Sequence, residues 1–129
     1  MIESSVLLFV VDDEPCISSS FLSFFEDYSE LQAVAFANGE EALAAMEQRR
    51  PHACIVDMRL PGMRGEEFVS RANAICPQCR FLLHTGSIDL ALTPELRQAG
   101  LVDEDVFYKP TDMKKVLARI RQLLGIKVE

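Results

Sequence analysis

The chain has 129 residues, a formal net charge of −7 and a hydrophobic content of 49%. This length suits one domain with a sizeable core and excludes two ordinary ones. We therefore predict a single domain over residues 1–129, with its core over about residues 6–124. The acidic balance and the lack of a long basic run argue against direct binding to nucleic acid or to an anionic membrane.

The sequence contains no recognisable targeting segment. Its N-terminus has no basic region followed by a signal-length apolar stretch, and no apolar run approaches the roughly 20 residues that span a bilayer. We therefore expect a cytoplasmic protein with no membrane partner.

The first predicted strand covers residues 6–11, an apolar run rich in β-branched side chains. Three consecutive acids, Asp12, Asp13 and Glu14, follow it, and Pro15 suits the first turn of a helix. The apolar side chains that share one face of that helix are Ile17, Phe21, Phe24 and Phe25. The acids are therefore expected in the loop between this strand and this helix.

A second strand and a second helix follow. Residues 31–36 are predicted to form the strand, Asn38 and Gly39 turn the chain, and residues 40–49 form an amphipathic helix that Pro51 stops. The apolar positions of this helix are Ala42, Leu43 and Met46.

The third predicted strand places an acid at its carboxyl end, where parallel sheets commonly bind ligands. The apolar run from Ala53 has the pattern of a strand buried on both faces, and it ends at Asp57. Pro61, Gly62 and Gly65 then break the pattern, because Pro fixes its backbone angle and Gly permits conformations closed to other residues. A loop must follow Asp57, and ligands bind beyond this end of the strands in an open parallel sheet.

A third helix and a fourth strand come next. We predict the helix over residues 66–74 and the strand over residues 80–84, with Thr85 at its end. Residues 87–92 have no clean period, and a short helix begins at Thr93-Pro94-Glu95 and stops at Gly100.

The last unit is a short strand and a long helix. The strand covers residues 105–108 and ends at Lys109 and Pro110, and Thr111 and Asp112 are candidate caps of the helix. The apolar positions of the helix recur at helical spacing and are Met113, Val116, Leu117, Ile120, Leu123 and Leu124.

Cysteine and histidine patterns give weaker signals. The chain has four cysteines, Cys16, Cys54, Cys76 and Cys79. Cys76 and Cys79 have redox-motif spacing, but they follow a helical pattern and precede a strand, so we interpret them as structural. His52 and His84 are isolated, and each is interpreted as a loop or strand residue.

Strict alternation of strand and helix predicts an α/β domain, a doubly wound five-stranded parallel sheet with helices on both faces. In such a sheet the carboxyl ends of the strands lie along one edge. Asp12, Asp13, Asp57, Thr85 and Lys109 all fall at these ends, so we predict that they converge on one pocket.

The residue types in this pocket suit phosphoryl transfer. Three carboxylates repel one another, and a hard divalent cation such as Mg²⁺, which prefers oxygen ligands, would neutralise them. Lys109 and Thr85 suit the oxygens of a transferring phosphoryl group, and Asp57 is the candidate nucleophile that forms an acyl phosphate.

Four motifs resemble a known family, the receiver domains of two-component response regulators, including chemotaxis-type single-domain receivers. They are Val11-Asp-Asp-Glu-Pro15, Ile55-Val-Asp-Met-Arg-Leu-Pro-Gly-Met-Arg-Gly65, His84-Thr-Gly86 and Tyr108-Lys-Pro110. The resemblance implies a flavodoxin-like receiver fold with strand order 2-1-3-4-5.

The resemblance also implies a role for each residue of the pocket. It makes Asp57 the phospho-acceptor and, with Asp12 and Asp13, a ligand of Mg²⁺, for which the backbone carbonyl of Arg59 completes the site. The pair that would bind the phosphoryl oxygens is Thr85 and Lys109, and the peptide bond between Lys109 and Pro110 is often cis in this family.

The implied partners are a sensor histidine kinase or phosphotransfer protein, an unknown downstream protein and, as an open alternative, a second phosphorylated copy of the chain. The expected function is that of a signalling phospho-acceptor. Such a protein is not an enzyme in the ordinary sense, because it catalyses only its own phosphorylation and dephosphorylation.

Some positions depart from the family's usual pattern. Arg64 stands where an acid is common, and Val106 stands where the family has a Tyr or Phe that changes rotamer together with Thr85. A branched aliphatic side chain has few rotamers. We therefore expect the response to phosphate to move to residues 86–92 and to the short helix after Pro94.

Two other functions remain open from the sequence. One is a magnesium-dependent phosphatase of the haloacid dehalogenase type, since Asp12 and Glu14 have that family's two-residue spacing at the end of the first strand. The other is a receiver fold that acts only as a binding surface, without phosphorylation of Asp57.

Overall fold

The computed structural model describes residues 6–88 and 90–126. The strands in these residues are β1 (Val6–Val11), β2 (Leu31–Phe36), β3 (Ala53–Asp57), β4 (Arg80–Thr85) and β5 (Val106–Tyr108). All neighbouring pairs are parallel, and the order across the sheet is β2-β1-β3-β4-β5. This order confirms the predicted fold class.

Helices connect the strands. They are α1 (Pro15–Phe25), α2 (Gly39–Gln48), α3 (Gly65–Ile75), α4 (Pro94–Gln98) and α5 (Met113–Leu124), and a 3₁₀ turn covers Asp103–Asp105. The predicted helices agree with these to within one or two residues at most ends, and α4 is as short as predicted. Among the described residues, none of the helices is long and apolar enough to cross a bilayer.

The sheet separates two apolar layers. Met46 of α2, Phe68 of α3 and Leu96 of α4 pack on one face of the sheet, with the side chains of α1 and α5 on the other. Every residue of β3 is buried, which is the expected pattern for a central strand covered on both faces. Hydrophobic burial on both faces therefore holds β3 and its terminal Asp57 in place.

The strand β5 begins one residue later than predicted, because Asp105 belongs to the preceding 3₁₀ turn. The Asp105 carboxylate is buried and accepts hydrogen bonds from the Val102 backbone at 2.9 Å and from Arg119 Nε at 2.7 Å. A buried charge is tolerated when it is paired. Asp105 thus ties the start of β5 to α5.

The N-terminal cap of α5 is Asp112, whose Oδ1 accepts a hydrogen bond from the Lys114 backbone at 3.0 Å. The prediction that Thr111 shares this role is wrong. Its hydroxyl instead donates to the Tyr108 carbonyl at 2.8 Å, because the turn after β5 brings the two residues together.

Three of the cysteines are core residues. The sulfur atoms of Cys54 and Cys79 lie 3.6 Å apart, and Cys76 Sγ lies 3.8 Å from the Pro51 carbonyl. Burial raises the pKa of the Cys54 and Cys76 thiols. Since the thiolate is the reactive form, these features support a structural role.

Candidate functional site

Asp57 lies at the end of β3 and only 4% of its surface is exposed. Its Oδ1 accepts a hydrogen bond from the Arg59 backbone at 3.0 Å, so the loop that follows fixes the carboxylate's orientation. The loop returns close to the strand at Gly65, where a Cβ atom would lie 2.8 Å from the Asp57 carbonyl oxygen. Gly65 therefore permits the close approach that forms this edge of the site.

Two further carboxylates lie beside Asp57, as predicted. Asp12 is buried and its Oδ1 accepts a hydrogen bond from the Glu14 backbone at 2.9 Å, whereas Asp13 is exposed. One oxygen from each of Asp12, Asp13 and Asp57 lies within 4.8 Å of the other two. Three convergent carboxylate oxygens fit a hard divalent cation such as Mg²⁺.

Lys109 brings a positive charge to the same acids. Its Nζ lies 3.5 Å from Asp57 Oδ2, 3.8 Å from Asp12 Oδ2 and 3.4 Å from Glu14 Oε1. The contact with Glu14 was not predicted, although its position in the acidic run after β1 is a signal for it. The peptide bond between Lys109 and Pro110 is cis, as the resemblance implied.

The charges in this cluster are poorly balanced. Burial, together with repulsion from Asp57, raises the pKa of Asp12 to about 6. Burial acts to lower the pKa of Lys109, but attraction to Asp12 and Asp57 outweighs it and raises the pKa. One ammonium group therefore faces more negative charge than it can neutralise, which favours a bound cation.

Thr85 ends β4 and lies beside an open cleft. Its side chain is buried, and its Oγ1 accepts a hydrogen bond from the Ser87 backbone at 3.1 Å. The cleft has a volume of about 660 Å³ and is also lined by Asp13, Arg59 and Arg64. Thr85 thus lines a cleft at the same edge of the sheet as the acids.

His84, which the sequence analysis interpreted as a loop or strand residue, lies in β4 as a buried neighbour of the site. Its Nε2 lies 2.9 Å from Thr111 Oγ1, and the edge of its ring packs against Phe21 with 5.2 Å between ring centroids. Burial, together with the positive charge of Lys109, lowers its pKa to about 4. The ring is therefore neutral near pH 7.

Val106, the departure from the usual aromatic position, pairs with Leu83 across β4 and β5 and packs against the layer that contains α2, α3 and α4. Phe107 packs on the opposite layer, as alternation along the strand predicted. Tyr108 is 41% exposed.

A parallel sheet of this order, with three acids and a lysine at its carboxyl edge, defines the class of receiver domains. The family model described as "Response regulator receiver domain" matches residues 8–121, and the chain therefore belongs to that family. This membership confirms the resemblance and does not favour the dehalogenase-type alternative.

Curated relatives agree with this assignment. Sporulation initiation phosphotransferase F of Bacillus subtilis is 30% identical over 122 residues, which cover 93% of this chain and 94% of that protein. Probable transcriptional regulatory protein TcrX of Mycobacterium tuberculosis is 31% identical, and the match covers 92% of this chain but only 50% of that protein. The chain thus spans nearly all of the first relative and half of the second.

A solved structure gives the same fold. The crystal structure of a response regulator receiver domain protein from Methanospirillum hungatei has a TM-score of 0.77 and 25% identity, with 95% of each chain covered.

Proposed function

We propose that Asp57 accepts a phosphoryl group from a phosphohistidine of a sensor histidine kinase or phosphotransfer protein, and that the modified chain changes its binding to a downstream protein. The observation that carries this proposal is the 3.5 Å contact between Lys109 Nζ and the buried Asp57 carboxylate, beside Asp12 and Asp13. The name of the Bacillus subtilis relative, sporulation initiation phosphotransferase F, supports it.

The proposed step forms one bond and breaks one. A carboxylate oxygen of Asp57 attacks the phosphorus atom, and the P–N bond of the donor breaks with its electron pair passing to the imidazole nitrogen. The product is an acyl phosphate on Asp57. Later attack by water on phosphorus releases inorganic phosphate and restores the carboxylate.

Lys109 and Thr85 would act on the phosphoryl oxygens. The ammonium group of Lys109 already lies at hydrogen-bonding distance from Asp57, so it needs little movement to meet the charge that develops on the phosphoryl group. Thr85 supplies a hydroxyl from the adjacent strand.

Asp12, Asp13 and Asp57, with the backbone carbonyl of Arg59, would hold Mg²⁺. When bound, the ion would neutralise carboxylate charge and the charge of the phosphoryl oxygens. The donor set is all oxygen, which is the chemistry that this ion prefers.

The function proposed here is stoichiometric signalling rather than turnover. We expect each chain to carry at most one phosphoryl group at a time, because the proposed acceptor is one carboxylate. Cytoplasmic location, phosphorylation-dependent dimerisation and the single-domain extent of residues 1–129 remain predictions.

Intact-mass measurement after incubation with acetyl phosphate and Mg²⁺ tests the proposal. The wild type should gain one phosphoryl group, and Asp57→Asn should gain none. Asp27→Asn, a matched change in an exposed acid just after the C-terminal end of α1, should behave as the wild type. Labelling of Asp57→Asn, or multiple turnovers of a phosphomonoester, would contradict it.

A further inference from the structure

A short chain of hydrogen bonds links β4 to the turn that carries Lys109. His84 Nε2 lies 2.9 Å from Thr111 Oγ1, and Thr111 Oγ1 lies 2.8 Å from the Tyr108 carbonyl oxygen. The Lys109 backbone amide donates to the Thr85 carbonyl at 2.7 Å. The turn is therefore attached to the end of β4 at two points, the Lys109 backbone amide and the Thr111 hydroxyl.

The direction of the bonds follows from counting protons. A hydroxyl has one proton, and two oxygens 2.8 Å apart are attractive only when a proton lies between them, so Thr111 donates to Tyr108. Thr111 must then accept from His84, and Nε2 must carry the ring proton. In the described part of the chain, the other ring nitrogen, Nδ1, is buried without a hydrogen-bond partner, which agrees with an unprotonated atom.

This connection lies close to the reacting group. His84 pairs with Asp57 across β3 and β4, and it directly precedes Thr85. Tyr108 directly precedes Lys109, whose Nζ reaches the Asp57 carboxylate. A shift of the turn would therefore move the ammonium group relative to the carboxylate that it must serve.

We propose that His84 and Thr111 are positioning residues for phosphorylation of Asp57, and that they hold the turn after β5 so that Lys109 Nζ points at the phosphoryl site. This inference rests on the proposed function. His84 acts here as a fixed neutral donor and does not touch the phosphoryl group. Misplacement of a positioned group by about 1 Å can slow a reaction by about a hundredfold.

Variants at residue 111 test the inference without opening the core, because Thr111 is only half-buried. Thr111→Val removes the hydroxyl and keeps the shape, whereas Thr111→Ser keeps the hydroxyl. Asp112→Ala is the matched stability control, since it removes the cap of α5 one residue away and leaves the hydrogen-bond chain intact.

The rate constant of Asp57 labelling by acetyl phosphate should fall by about threefold to tenfold in Thr111→Val, the range that one lost hydrogen bond gives. Thr111→Ser and Asp112→Ala should label at the wild-type rate, although Asp112→Ala melts earlier. A long-range ¹H–¹⁵N spectrum of the wild type should show His84 protonated at Nε2.

Different failures have different meanings. Equal rates for the Val and Ser variants, equal slowing by Asp112→Ala, or a ring protonated at Nδ1 would overturn the positioning role alone. A wild type that gains no phosphate on Asp57 would overturn the proposed function and this inference together.

Discussion

Lys109 Nζ lies 3.5 Å from Asp57 Oδ2, although the two residues are 52 positions apart in the sequence. The contact exists because β3 and β5 both deliver their carboxyl ends to the same edge of the sheet, on either side of β4. Lys109 is also the nearest cation to Asp12 among the ion pairs of the described residues. The Lys109 side chain thus forms ion pairs with both the proposed nucleophile, Asp57, and the neighbouring Asp12.

Replacing Lys109 should therefore slow phosphorylation strongly. We expect Lys109→Met to lower the rate of Asp57 labelling by about a hundredfold to a thousandfold, the range seen when one preorganised charge-stabilising donor is lost. Time-resolved intact-mass measurement with acetyl phosphate would report it. Lys114→Met, at an exposed position on α5, is the control and should leave the rate unchanged.

Magnesium should stabilise the folded chain. A ligand that binds only the native state adds RT ln(1 + [L]/Kd), or about 1.4 kcal/mol at ten times Kd. Melting curves with MgCl₂ or EDTA would measure this gain. Asp13→Asn should reduce it, and the change is safe for folding because Asp13 is exposed. A full magnesium shift in Asp13→Asn would show that Asp13 is not a ligand.

The raised pKa of Asp12 predicts a pH-dependent stability. Its pKa is about 6 in the folded chain against an ordinary value of 3.8. The folded state therefore holds this proton more tightly than the unfolded state, and stability from Asp12 is present at low pH and lost as pH rises through about 6.

Without divalent ions, Asp12→Asn should be more stable than the wild type near pH 8 by about 1–2 kcal/mol, less than the full shift implies because solvent screens part of it. The advantage should disappear near about pH 4, where Asp12 is protonated in the folded chain. Urea unfolding at both pH values would measure the difference. His84, whose pKa is lowered to about 4, has the opposite effect on stability but is common to both proteins, so it cancels. A constant difference across this range would contradict the assignment.

Sequence periodicity was sufficient to locate Asp57, Thr85 and Lys109, because each follows directly from the end of a strand whose apolar run is clear. The contacts of His84 and Asp105 could not be found in this way. His84 meets a hydroxyl 27 positions away, and Asp105 meets Arg119 on α5. Both pairings depend on how the turn and the last helix pack against the sheet, and local patterns contain no information about that packing.

The role of Thr111 shows that local sequence patterns are also insufficient for residues next to each other in the chain. Sequence patterns correctly indicated that a cap precedes α5, but Thr111 and Asp112 were equally good candidates. The conformation of the turn after β5 decides which of the two caps α5. It brings the Thr111 hydroxyl to the Tyr108 carbonyl and leaves Asp112 at the helix terminus.

The last prediction concerns how phosphorylation is transmitted. Val106 is partly buried against the layer of α2, α3 and α4, and it has no ring that could move between two positions. The residue before it, Asp105, is anchored to Arg119 at 2.7 Å. The start of β5 is thus held to α5, and little difference in contacts between two states can arise there.

The start of the segment after β4 is, in contrast to the start of β5, exposed and weakly packed. Among the described residues, no atom beyond those of its two chain neighbours lies within 4 Å of where a Gly86 side chain would begin. Ile88 is 84% exposed, and α4 has only five residues. Gly86 and Ile88 thus have few packed contacts, whereas Leu96 of α4 packs in the core. Backbone with few packed contacts opens at low free-energy cost and can order when a new partner appears next to it. Thr85, which precedes it, is the group expected to move toward the phosphoryl oxygens.

Hydrogen exchange with and without beryllofluoride and Mg²⁺ should therefore show increased protection over residues 86–100 and little change over residues 105–108. Asp57→Asn, which lacks the acceptor carboxylate, is the control and should show neither change. If protection instead rose across β5 while residues 86–100 stayed constant, the response would pass through β5 despite Val106, and the predicted route would be wrong. Val106→Tyr offers a second check, because restoring a ring should add a protection change at β5 to that of the segment after β4.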